Sequence, residues 1–187
     1  GVTSTFLKGN IPCRIARISF SGELAFEVYV KSDFANTMMD LLWENAKKYD
    51  GCLYGLEALG ALRVEKGHVT AAELDGRVTI DDAGLSKMAS TKKSYIGSAM
   101  RKRGVLKNND REILVGFFPA NLKETFNAGT IVCEKNNIKG QGIGRITSVT
   151  YYPELRHWIG IGFVKGGLDK WKDTTLVGAD PVRNKQT

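Results

Sequence analysis

Two carboxylates stand four positions apart in RISFSGELAFEVYV, residues 17–30: Glu23 beside Gly22, and Glu27, which interrupts a strongly apolar stretch. An ionised carboxylate is an acceptor only, with room for about four hydrogen bonds. It pairs well with a planar N–H donor such as a pterin edge or a guanidinium. Glu23 reads as an exposed turn residue, which leaves Glu27 as the candidate for recognition. Other chemistry-bearing types are sparse. Cys13, Cys52 and Cys133 are widely spaced with no CxxC pair, and the only histidines are His68 and His157. Neither a zinc site nor a disulfide framework is expected, and no metal ligand is assigned. An odd, sparse set of thiols suits a reducing compartment.

The elements around Glu27 decide what it can do. Ile15, Arg17 and Ser19, then Leu24, Phe26, Val28 and Val30, alternate with their neighbours on either side of Ser21-Gly22. That pattern predicts two strands joined by a tight turn. In the second strand Leu24, Phe26, Val28 and Val30 share one face, so Glu27 shares the other with Ala25 and Tyr29. If that other face meets solvent, Glu27 is ordinary; if it lines a pocket, the carboxylate is placed to accept from a planar donor. Next, KSDFANTMMDLLWENAKKYD offers Ser32 or Asp33 as N-cap and an apolar stripe of Phe34, Met38, Leu41, Leu42 and Ala46, with Gly51 as the stop. A second helical pattern, LEALGALRVEKG, turns Leu56, Leu59, Leu62 and Val64 inward. Strand, strand, helix, short strand, helix describes an α+β layer.

Residues 68–97 carry little periodicity and predict an irregular connection with one short helix near 83–90, followed by another ending near Gly104. Asn108-Asn109-Asp110 is a polar break. Beyond it REILVGFF, GTIVCE, GQGIGRITSVTYY, HWIGIGFV and TTLVGADPV are strand-like runs between Gly, Asn and Pro signals. They predict a small antiparallel barrel or sandwich. The expected division is therefore an α+β domain over 1–107 and a β-barrel domain over 111–187. A strand pair beginning near residue 12, with no element before it, would be a sheet lacking neighbours, so a fragment of a larger polypeptide is expected.

The 187 residues include 42% hydrophobic side chains, enough for a core, and carry a net charge of +7. The sequence pI is about 9.3. Basic residues cluster at Lys92-Lys93, Arg101-Lys102-Arg103 and Lys107, without interleaved aromatics, so a solvated face or a subunit contact is expected and no nucleic-acid partner. No run approaches the roughly 18 apolar residues of a membrane span, and no signal peptide is visible. The expectation is a soluble cytoplasmic protein. GQGIGR is weak as a dinucleotide fingerprint.

The motifs, taken in order, resemble the folate-binding aminomethyltransferase family, which includes the glycine-cleavage T-protein and the tetrahydrofolate-binding regions of sarcosine and dimethylglycine oxidases. The family's R-x-[ST]-[YF]-x-G-E-x-[AG]-[FWY]-E signature is similar to RISFSGELAFE, residues 17–27, and its L-R-x-E-x-G motif to LRVEKG, residues 62–67. DGRVTIDDAGLSKMASTKKSYIG and GQGIGRITSVTYYPELRHWIGIGFV resemble two further family segments. Within the family, GLEALGALRVEKG and DGRVTIDDAGL look most like the alpha subunit of heterotetrameric sarcosine oxidases.

The resemblance implies the C-terminal half of the family's folate-binding fold, with a ferredoxin-like α/β layer. It implies that Glu27 binds the pterin through its N–H edge, that Phe20 stands where many relatives have tyrosine and packs on the ring without a hydroxyl to donate, and that Arg63 lies near the folate. A salt bridge to Glu57 or Glu65 is the alternative for Arg63. It further implies tetrahydrofolate as cofactor; FAD, FMN and NAD elsewhere in a complete enzyme; and beta, gamma and delta subunits as partners. Sarcosine would be oxidatively demethylated to glycine and its one-carbon unit captured as methylenetetrahydrofolate. The alternatives within the superfamily are a T-protein-like aminomethyltransferase and a non-catalytic folate-binding protein. VTAAELDG, residues 69–76, has alanines where the T-protein pattern has a tyrosine. The family's catalytic aspartate matches no residue of this sequence, so no catalytic residue is assigned and the fragment alone is expected to be inactive.

Overall fold

A computed structural model describes residues 1–7, 10–135 and 141–183, together with the backbone of 185–186. The chain divides into two compact units, Gly1–Lys66 and Gly67–Thr187.

The first unit is a three-stranded antiparallel sheet in the order β1-β2-β3, formed by β1 (Val2–Leu7), β2 (Ile11–Ala16) and β3 (Glu27–Val30), with helices α1 (Ala35–Ala46) and α2 (Leu56–Lys66). Alternation along β2 puts Ile11, Cys13 and Ile15 on one face. There Ile11, Cys13 and Met38 of α1 are buried, with Leu7, Val28, Val30, Phe34 and Leu41 packed around them. The helical stripe thus meets the sheet as its spacing predicts, except that Leu42 stays 44% exposed. Neither Ser32 nor Asp33 caps α1: a 3-10 turn over Ser32–Phe34 leads into the helix, and no side chain caps either start. At the other end Asp50 takes the left-handed conformation (φ 55°), and the Gly51 N–H returns to the Ala46 carbonyl at 2.9 Å. On α2, Val64 is buried and Leu59 and Leu62 half-buried, whereas Leu56, at the first position, is 85% exposed.

Two expectations fail in this unit. The strand pair is preceded by a strand after all: β1 pairs with the whole of β2, from Val2–Ala16 to Leu7–Ile11. The tight turn at Ser21-Gly22 does not form, because β2 ends at Ala16, whose partner is Glu27. Leu24 and Phe26 have the period of a strand but no strand opposite them, and they are 70% and 58% exposed.

The second unit carries an antiparallel sheet of six strands, ordered β4-β7-β6-β5-β8-β9. These are β4 (Glu112–Phe117), β5 (Ile131–Cys133), β6 (Gly144–Tyr152), β7 (His157–Lys165), β8 (Val177–Asp180) and β9 (Lys185–Gln186), with the short helix α3 (Gly167–Trp171) between β7 and β8. The five strand-like runs of the sequence all become strands. They do not close a barrel. Closure requires the two end strands to bond each other, and here β4 pairs only with β7 and β9 only with β8. The long β6–β7 hairpin is the spine, with a register shift between Ile146 and Ser148. Glycine lets its strands approach: a Cβ on Gly162 would sit on the Arg145 carbonyl, and one on Gly144 on the Phe163 carbonyl. Phe126, Val132 and Ile146 form the core, flanked by Phe117, Ile143, Val149, Trp158 and Leu176.

The units meet at Lys66/Gly67, not at the polar break of 107–111 where the composition changes. Buried charge explains the difference. The irregular segment before β4, with 3-10 turns at Ser86–Met88, Met100–Lys102 and Gly104–Lys107, is fastened to the sheet by carboxylates. Glu73, fully buried, accepts from the Thr147 and Ser148 hydroxyls at 2.7 and 2.6 Å and from the Thr70 N–H at 2.8 Å. Asp82, 1% exposed, accepts from Arg111 Nε and the Thr79 N–H, each at 2.8 Å.

Candidate functional site

Glu27 opens β3, the edge strand of the first sheet, and is exposed. Strand alternation sends Val28 and Val30 into the core and leaves Glu27 and Tyr29 on the opposite face. That face is polar on β2 as well, since Arg14 lies in register with Tyr29. The Tyr29 hydroxyl donates to Glu27 Oε2. This bond, ahead of partial burial and the carboxylate's charge, pushes the Tyr29 phenol above its ordinary value, while Arg14 acts the other way.

The connection from Arg17 to Phe26 owes its shape to a few polar contacts. Ser19 Oγ accepts the Gly22 N–H at 2.9 Å, and Gly22 has φ 104°, a conformation open chiefly to glycine. Lys66, the last residue of α2, donates from Nζ to the Ser19 carbonyl at 2.7 Å. Its stem runs alongside Gly22, where a Cβ would lie 3.3 Å from Lys66 Cδ. The two motifs that stand out in the sequence, residues 17–27 and 62–67, are therefore joined in space by a lysine within the second. Phe20 lies in that connection and Arg63 on the last turn of α2. Both are half-buried, and both have interaction partners. Glu23 is exposed beside the turn. Neither Lys66 nor Tyr29 stands out from the sequence. The available signals were Tyr29 two positions after Glu27 on a strand, and a lysine directly after the arginine helix turn.

Other charged groups form structural pairs. A cavity of about 330 Å³ in the second unit is lined by Arg77, Arg111, Arg145, Glu112, Asn108 and Val105 among others. Its guanidiniums are already engaged: Arg77 with Asp75, Arg145 with Glu112 and Asp75, Arg111 with Asp82. Hydrogen bonds from Arg77 hold the Asp75 carboxyl down to about 2. In the basic cluster, Arg101 differs from its neighbours. It grips Asp81 through Nε and Nη2, both at 2.6 Å, and reaches the Tyr95 hydroxyl at 3.3 Å. Among the described residues no group of three His, Cys, Asp or Glu could hold a metal ion, and no helix is long and apolar enough to cross a membrane. Cys13 and Cys133 are buried and Cys52 exposed, all three free.

Residues 3–93 match the family model described as the GCVT N-terminal domain, and the chain is a homologue of the aminomethyltransferases. It is 30% identical to the mitochondrial aminomethyltransferase of Mesembryanthemum crystallinum, over 89% of this chain and 40% of that one. It is also a homologue of sarcosine oxidase alpha subunits. It shares 36% identity with subunit alpha of Rhizobium meliloti (strain 1021), over 86% of this chain and 17% of that one. With subunit alpha of Corynebacterium sp. (strain P-1) it shares 30%, over 88% and 18%. The chain thus spans less than a fifth of those alpha subunits. Its fold is that of the glycine cleavage system aminomethyltransferase T from Bartonella henselae: TM-score 0.77 at 22% identity, over 93% of this chain and 46% of that one.

Proposed function

We propose that this chain forms part of a tetrahydrofolate site in a protein of the sarcosine oxidase alpha type, with Glu27 as the acceptor for the pterin N–H edge. The observation that carries the reading is the Glu27 carboxylate itself. It is exposed on the outer face of an edge strand, oriented by Tyr29, and stands at the last position of a signature whose loop is tied to the second motif by Lys66.

The donor set fits the group. A carboxylate with one lone pair taken by a tyrosine hydroxyl still has about three acceptor positions, enough for two N–H donors on one planar edge. Phe20 would pack on the ring, and Arg63 would lie near the folate as a cation. Bound tetrahydrofolate would supply the nucleophilic nitrogens that take up a one-carbon unit. The residues of this chain bind and orient; none is assigned a proton or a nucleophile. In the whole enzyme, oxidative demethylation of sarcosine to glycine would occur at a flavin outside this chain, with the beta, gamma and delta subunits as partners. Similarity to aminomethyltransferases at 30% identity supports a second reading, a T-protein-like aminomethyl transfer. Co-purification with flavin-bearing subunits separates the two.

The test is Glu27→Gln in the full-length protein, with folinic acid titrated by calorimetry. A hydrogen bond to a charged acceptor contributes about 1.5–3 kcal/mol, so affinity should fall at least about tenfold while sarcosine oxidation persists and formaldehyde is released. Unchanged affinity would sink the assignment.

A further inference from the structure

The residue that aims Glu27 is absent from the motif. We propose that Tyr29 is a positioning residue for the Glu27 carboxylate, holding it in the orientation in which it accepts a ligand's N–H edge. The inference rests on the reading of Glu27 as the pterin acceptor.

Glu27 and Tyr29 are two apart on one strand, so their side chains leave the same face, and the Tyr29 hydroxyl donates to Glu27 Oε2. A glutamate at the exposed start of an edge strand has three side-chain torsions, free to sample several rotamers in water. One donor from a rigid ring selects among those rotamers. The ring is itself anchored by its place in the ladder, where Tyr29 pairs with Arg14. The cation opposite and the carboxylate beside it are the two charges that act on the phenol. A ligand that covered this face would remove water from the pair and strengthen the bond, because a charge-assisted hydrogen bond gains as the local dielectric falls. A hydroxyl placed this way serves only a carboxylate: it donates to Oε2 and leaves the remaining lone pairs free for the ligand. Removing it costs orientation, while every acceptor position that the ligand uses stays on Glu27.

The experiment is a double-mutant cycle in the full-length protein with Tyr29→Phe, Glu27→Gln and both together, read by calorimetric titration with folinic acid. Tyr29→Phe keeps the ring and its sheet contacts, so melting temperature should hold. Affinity should fall about three- to tenfold, Glu27→Gln should lower it at least about tenfold, and the double variant should be no weaker than Glu27→Gln alone. Additive losses would overturn the proposal, since they would mean that Tyr29 acts on the ligand or the fold independently of Glu27. Unaltered affinity in Tyr29→Phe would overturn it as well.

A second measurement stands apart from folate. The tyrosinate absorbance of Tyr29, taken as the difference between protein with and without Tyr29→Phe, should titrate above the ordinary tyrosine range and move back toward it in Glu27→Gln. No movement would mean that the two groups are not paired. If the phenol moves but Glu27→Gln leaves folinic acid binding intact, the pair stands and the folate reading beneath it fails.

Discussion

Lys66 Nζ and the Ser19 carbonyl, 47 positions apart in the chain, meet at 2.7 Å. That one bond joins the end of α2 to the connection between β2 and β3. It depends on Gly22, whose missing side chain lets the lysine stem pass.

Lys66→Met keeps the stem and removes the donor. Because the bond is exposed, its loss should lower stability by only about 0.5–1 kcal/mol. Gly22→Ala should cost more, about 1–3 kcal/mol, since alanine is strained at φ 104° and its Cβ would crowd Lys66. Denaturant melts of the full-length protein check both. If the loop is part of the site, both variants also weaken folinic acid binding with Glu27 intact.

Glu73 should tolerate an amide far better than a hydrocarbon. Its oxygens meet the Thr147 and Ser148 hydroxyls on one side and the Thr70 N–H on the other. Hydroxyls rotate and can accept from an amide, so Glu73→Gln can be satisfied. Glu73→Leu leaves buried donors unpaired at about 1–3 kcal/mol each, which should reduce stability by roughly 3 kcal/mol or more. Equal melting temperatures for the two variants would contradict this bonding.

Hydrogen bonds from Arg101, then Ser86, hold the Asp81 carboxyl down from 3.8 to about 2. A carboxyl depressed in the folded state stabilises the fold above its unfolded value and loses that contribution as pH falls. The stability gap between the native protein and Asp81→Asn should therefore be full above pH 3.8 and close as pH approaches about 2. Arg101→Ser should reproduce the loss at neutral pH. Changing Lys102 and Arg103 to serine should leave the melting temperature in place, because the ion pair to Asp81 in this cluster is made by Arg101. A pH-independent gap would argue against the pair.

Periodicity and glycine placement in the sequence determined most of the elements. The apolar spacing of 34–46 places α1 on the sheet through Met38, and five alternating runs between turn signals become β4 to β8. It also put Val28 and Val30 inward and Glu27 outward, because a strand has only two faces. Motif order alone carried the resemblance that the relatives bear out.

Only the tertiary structure decided what lies opposite what. Leu24 and Phe26 alternate like a strand, yet β2 ends at Ala16 and offers them no ladder. VTSTFL is too polar to announce β1, which is made a strand by pairing along the whole of β2. An open sheet and a barrel share the same strand pattern and differ only in whether the end strands bond. The contacts that shape the candidate site, Lys66 to Ser19 and Tyr29 to Glu27, depend on where side chains end. Periodicity reports which face a residue takes; it does not report what its last atom reaches.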